Sequence, residues 1–153
     1  MTSFQIGAFC LMMTAVFVAW WQGGHTERLG AATVLIWAMG TIATPVWLHK
    51  PVLGIYLFEA VLELAVLVVF IHMALKSHRW WPFAAVAVMT LSVMVYYVQA
   101  FVPELDRRAQ ISAHVGLGIA LYLTILAGVG ERWLAGERPV SENTVWRRPR
   151  RAT

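Results

Sequence analysis

The 153-residue chain is 59% hydrophobic and only 13% charged, against about 25% charged in a typical soluble domain. Its mean hydropathy is +0.65, more apolar surface than so short a chain can hide from water. These values exclude an ordinary soluble domain, leave no length for a second domain, and point to an all-α integral membrane protein.

A spanning helix needs about 20 mostly apolar residues, and helices are the open element that satisfies its own backbone in lipid. Five segments meet this requirement: Phe4–Trp21, Gly30–Leu48, Val52–Leu75, Trp80–Val102 and Ile111–Gly130. The expected fold is therefore a five-helix transmembrane bundle over residues 1–135. Residues 136–153 read as a basic, disordered tail.

The first segment lacks a basic start and a small-residue cleavage site, so it is expected to be a retained span rather than a signal peptide. It carries the lone cysteine, Cys10, which reads as a small buried hydrophobe. The connection "QGGHTERL" leads to the second segment. Pro45 is expected to end or kink that helix near Thr44. "HKP" and "KSHR" then join the second, third and fourth segments, and such short links make sequential helices antiparallel neighbours.

The third segment contains "YLFEAVLELAVLVVF", with Glu59 and Glu63 four residues apart and so on one helix face. Counting about 1.5 Å per residue from Val52 puts Glu59 about 10 Å deep and Glu63 about 16 Å, near the bilayer midplane. The fourth segment offers Ser92, Tyr96 and Gln99 at spacings of four and three. By the same count from Val102, Tyr96 falls level with Glu59 and Ser92 level with Glu63. His114 on the fifth segment is expected about 5 Å in, level with Gln99. The expectation is a polar ladder of Glu59, Glu63, Ser92, Tyr96, Gln99 and His114. It descends from one face and stops at mid-membrane, because Leu67, Phe70, Ala85 and Met89 continue the same faces inward. Thr33 and Thr41 are weak further candidates.

Ionising an acid at the bilayer centre costs roughly 3 kcal/mol. Glu63 is therefore expected neutral and able to donate a hydrogen bond. Glu59 stays ionised if His114 or water reaches it. Two readings follow, interhelical glue or a site for a proton, a cation or a polar ligand.

The fifth segment places Ser112, Gly116, Ala120, Thr124 and Gly128 at every fourth position, all small. Such a stripe lets helices approach closely. It winds slowly round the helix and suits a crossed contact with another helix of the chain or of a second protein.

Lys50, Arg107 and Arg108 lie toward one face, and Arg28, Lys76, Arg79, Arg132, Arg138, Arg147, Arg148, Arg150 and Arg151 toward the other. The excess of positive charge predicts the N-terminus out and the C-terminus in. Trp20, Trp21, Trp80, Trp81 and Trp133 fall near the cytoplasmic boundary, as an aromatic belt does. In the tail, "WRRPRRAT" sets Arg147, Arg148, Arg150 and Arg151 against anionic lipid headgroups, each worth about 1 kcal/mol. Nucleic acid is not expected as a partner. "GGHTERLGA" and "GVGERWLAG" both place a Glu-Arg pair at the same boundary and read as recurrent interface chemistry rather than as a repeat.

No cofactor is expected. His72 and His114 stand at opposite ends of their helices and cannot clamp one haem. His25 with His72 is the weak remaining pair, and His25, His49 and His78 read as loop residues. No metal is expected either, since Glu-x-x-His motifs are missing. No phosphate loop, nucleophile elbow or zinc-protease helix occurs, so an enzyme is the weakest class.

At "GGHTERLGAA" and "ALKSHRWWPFAA" the chain resembles a loose group of small alphaproteobacterial membrane proteins with "GG-x-x-ER" and "S-x-R-W/Y-W-P" boundaries. The resemblance covers most of the first four segments and departs in the basic tail. It implies the bacterial inner membrane and no activity. The leading functional expectation is a non-enzymatic accessory or assembly subunit that packs through its fifth helix against a membrane partner or itself. The alternative is a periplasm-facing protein that binds or transports a proton, cation or small ligand through Glu59 and Glu63.

Overall fold

A computed structural model describes residues 3–47, 57–77, 79–101 and 107–136, with side chains over 6–42, 58–77, 79–98, 101 and 108–136. Among these residues the chain is all-helical: α1 (Ser3–Gln22), α2 (His25–Trp47), α3 (Leu57–Lys76), α4 (Trp81–Phe101) and α5 (Arg107–Leu134). Three helices are long and apolar enough to cross a membrane, over Phe58–Lys76, Trp81–Val98 and Arg108–Leu134. The apolar part of α1, Ile6–Gln22, is shorter. In α2 the first turn is polar, with His25, Thr26, Glu27 and Arg28 already helical.

The helix ends follow local chemistry. Only Gly23 and Gly24 separate α1 from α2, so most of the expected connection "QGGHTERL" is helix. Glu27 makes this possible by reaching back to accept the Gly24 amide proton at 2.8 Å, one half of a capping box. Helix α2 also runs three residues past Thr44 to Trp47, through Pro45. A proline in the last turn removes one backbone bond without stopping the helix there. Pro82 sits in the first turn of α4, where its missing amide proton costs nothing. Helix α5 begins four residues before Ile111. It closes on Gly136 at φ 70°, a left-handed cap that favours glycine.

Each helix packs on the next in sequence, α5 packs back on α1, and α2 touches α5 across the middle. The cross-contact divides the bundle into a side built from α1, α2 and α5 and a side built from α2, α3, α4 and α5. Large apolar side chains cover the outside, among them Phe17, Ile36, Met39, Leu75 and Leu134, while Glu27, Glu63, Ser92 and Gln110 are buried. This arrangement suits lipid, where polar groups turn inward.

The core centres on Trp81, which is fully buried. Its indole is edge-on to Phe70 at 6.4 Å and lies between Gly30 of α2 and Gly128 of α5. A Cβ would come within 2.8 Å of Trp81 at Gly30 and 2.5 Å at Gly128. Only glycine lets both backbones close on the ring. Trp81 thus leaves the expected aromatic belt and joins the core. Trp20, Trp21, Trp80 and Trp133 are exposed. A 100° turn per residue separates Trp80 from Trp81, so one faces out and the next faces in. The same geometry corrects Cys10, which is exposed. The buried face of α1 carries Met12, Ala15 and Ala19, and Cys10 lies about 200° from Met12.

Candidate functional site

Three helices bring Glu63, Ser92, Tyr96 and His114 into one cluster. Glu63 comes from the second turn of α3 and is 3% exposed. The Tyr96 hydroxyl on α4 donates to Glu63 Oε1 at 3.4 Å. His114 Nδ1 on α5 lies 3.5 Å from the same oxygen. Ser92 Oγ is 3.1 Å from His114 Nδ1, and the Tyr96 and His114 rings stack tilted at 4.7 Å. Glu63 Oε2 and His114 Nε2 are buried and make no hydrogen bond in the structure.

The register on α3 and α4 follows from the four-residue spacing, but His114, counted level with Gln99, stands beside Glu63 and Ser92 instead. Its partner is Glu63 rather than Glu59. Glu59 stands one turn from Glu63 and is more exposed than it. The side chain of Gln99 and the whole of Tyr56 lie outside the described residues. Thr33 and Thr41 donate to carbonyls of their own helix, Leu29 and Trp37, and show no bond to the ladder.

One buried polar residue was missed. Gln110 is 8% exposed and stands four residues before His114, on the same face of α5. The same spacing that flagged Glu59 with Glu63 would have found it. Inward from the cluster, Leu67, Phe70, Ala85 and Met89 are all buried, so an apolar plug closes the ladder.

A second polar cluster lies at the opposite end of α5. Glu27 is 1% exposed. Its Oε2 lies 3.4 Å from an Arg132 guanidinium nitrogen, and its Oε1 is 3.9 Å from Arg79 Nε. A Cβ at Gly24 would overlap the Arg132 guanidinium, so the glycine turn is also the seat of this ion pair. The two Glu-Arg segments seen as separate boundary features therefore meet in space. Glu27 ties together the α1–α2 turn, the α3–α4 connection and the end of α5.

The small stripe on α5 divides. Gly128 presses on Trp81 inside the bundle. Thr124 donates to the Ala120 carbonyl in the same helix at 2.8 Å. Ser112 and Gly116 are exposed, and a Cβ at Gly116 would meet nothing within 4 Å. Arg147, Arg148, Arg150 and Arg151 lie outside the described residues. His49 and His78 do too. His25 and His72 are exposed. Comparison with family models, with curated proteins and with solved structures returned no match.

Chemically, the Glu63–His114 pair holds one proton without net charge, as carboxylic acid with neutral imidazole or as carboxylate with imidazolium. Moving the proton between them leaves the pair neutral overall. Adding or removing a proton would leave a net charge on a buried pair, which costs more than in water. The Tyr96 and Ser92 hydroxyls lie within hydrogen-bond distance of Glu63 and His114 respectively. The cluster has an unfilled oxygen on Glu63 and an unfilled ring nitrogen on His114.

Proposed function

We propose that the chain is a multi-pass protein of the bacterial inner membrane. All five helices span, the N-terminus is outside and the C-terminus inside, and the basic tail rests on anionic headgroups. Its working centre is the Glu63–His114 pair, which binds a proton or the polar head of a small ligand entering from the periplasmic half past Glu59 and Gln110. The observation that carries this reading is the orphaned Oε2 of Glu63, a carboxyl 3% exposed whose other oxygen is already engaged by Tyr96 and faces His114. A purely structural glutamate at this depth would gain most by satisfying both oxygens. The closed inner end of the ladder favours binding or sensing over a through-channel.

The test is a difference titration of the purified protein, wild type against Glu63→Gln, in weakly buffered detergent. The amide of the variant keeps the hydrogen bonding and removes the titrating proton. One proton fewer in the variant, with a shifted curve in His114→Gln, supports the reading. Superimposable curves overturn it.

A second reading has its own observation. Ser112 and Gly116 form a small, uncovered patch on α5, and small residues let a second helix approach. An accessory subunit that packs on a partner or on its own copy through this patch would lose that contact in Gly116→Leu. A complex of unchanged size in detergent argues against it.

A further inference from the structure

Beside His114, helices α1, α2 and α5 border a groove of about 260 Å³ whose lining includes none of Glu63, Ser92 and Tyr96. Phe9 and Met12 of α1, Trp37 of α2 and Tyr122 of α5 form its walls, and His114 lies in its lining. Phe9 and Ile42 of its lining are exposed on the apolar outer surface. A cavity of about 150 Å³ admits benzene, so this one accommodates a substituted single ring with its tail leading into lipid.

The lining chemistry narrows the occupant. Among the described residues no lysine, arginine or acid lines the groove, so a phosphate or carboxylate head would find no counter-charge from them. Three aromatic side chains favour a flat ring. Thr41 also borders the groove, but its hydroxyl proton goes to the Trp37 carbonyl. His114 has a nitrogen to offer. Its Nδ1 is taken up by Ser92 and Glu63, while Nε2 is buried with no hydrogen-bond partner. When Glu63 is the protonated acid, it donates to Nδ1, and the imidazole carries its hydrogen on Nε2. His114 then carries an N–H donor on a ring that lines the groove, the nitrogen itself being buried in this structure. Its complement is a neutral ring bearing an acceptor oxygen.

We propose that the α1/α2/α5 groove binds a neutral, single-ring carbonyl lipid of the benzoquinone class, its carbonyl accepting a hydrogen bond from His114 Nε2. Glu63 sets the tautomer from behind, and Trp37 and Tyr122 flank the ring. The proposal rests on the reading of Glu63 and His114 as one proton-sharing pair, and it adds a second approach to that pair, from the groove side of His114.

The test titrates the full-length protein in detergent with a short-alkyl-chain benzoquinone and reads tryptophan quenching. Trp37→Phe identifies the share of the signal that comes from the groove. Saturable quenching is expected, at least roughly tenfold weaker in His114→Phe, the loss of about 1.4 kcal/mol from one hydrogen bond. His114→Gln, which restores an N–H donor, should recover part of it. Gly118→Leu fills the groove from the position one turn after His114. The atoms nearest a Cβ there belong to Tyr122 and Trp37, at 3.5 and 3.9 Å, and binding should be lost. The matching alkylbenzene, without carbonyls, should bind roughly tenfold more weakly. Equal binding of the two probes, or unchanged quenching in both His114→Phe and Gly118→Leu, overturns the proposal. Glu63→Gln separates the two claims, because its amide still donates to Nδ1. Quinone binding should persist there even though the titrating proton is gone. Binding lost in Gly118→Leu with the difference titration negative would leave the groove and refute the proton site. The reverse result would refute the groove alone.

Discussion

Glu27→Ala should be among the most destabilising single changes in the chain. Glu27 is 1% exposed, and the side chains of Arg132 and Arg79 are 11% and 21% exposed. Removing the carboxylate takes from two partly buried guanidinium groups the buried counter-charge they share. It also strips the Gly24 amide of its acceptor. Removing one partner of a buried pair costs about 3–5 kcal/mol, and an exposed pair costs only about 0.2–1 kcal/mol. The 11% exposure of Arg132 puts this pair near the first range, so about 3 kcal/mol is expected. Glu27→Gln keeps an acceptor for Gly24 and should lose less, about 1–3 kcal/mol. Reversible unfolding in mixed micelles with increasing dodecyl sulfate, followed by circular dichroism, measures both. Arg132→Ala in the same series gives the coupling, expected between about 0.5 and 3 kcal/mol. A loss under about 1 kcal/mol for Glu27→Ala, with additive behaviour in the double variant, would show a hydrated surface pair and refute the clamp.

The same unfolding assay checks the remaining packing. Gly128→Ala should cost about 1–3 kcal/mol, because its Cβ meets the Trp81 ring at 2.5 Å. Gly116→Ala should be neutral to within about 0.5 kcal/mol, since nothing lies near it. Trp81→Ala should cost about 3–5 kcal/mol. Trp81→Phe should cost clearly less, as it also removes a buried indole N–H that has no acceptor. Tyr96→Phe should cost about 1 kcal/mol or less, because its hydroxyl bond to Glu63 is long at 3.4 Å. A loss above about 2 kcal/mol would mean that Tyr96 is structural glue rather than a positioning group.

Spacing made the acid face legible. Glu59 with Glu63 and Ser92 with Tyr96 stand at helical intervals, and polar residues in an apolar helix have one favourable direction to face. The level of His114 was less legible, because counting along one helix does not fix how it is set against its neighbours. His114 meets Glu63 and Ser92 rather than standing level with Gln99. Facing was not legible where every residue is apolar. A helix hydrophobic all round carries no periodic signal, so Trp81 could not be told from Trp80, nor Cys10 from Met12. The Glu27 clamp was hidden for another reason. Both Glu-Arg segments were visible at one boundary, but their meeting depends on which helices become neighbours, and α2 against α5 is a contact across the bundle rather than along the chain.

The central claim is that Glu63 is a protonated acid held against His114 inside the membrane. Infrared difference spectroscopy of the protein in lipid nanodiscs, wild type against Glu63→Gln, tests it most directly. The account predicts a protonated-carboxyl C=O band at neutral pH that vanishes in Glu63→Gln and shifts in His114→Phe. A spectrum without that band, or a band indifferent to His114, would contradict it.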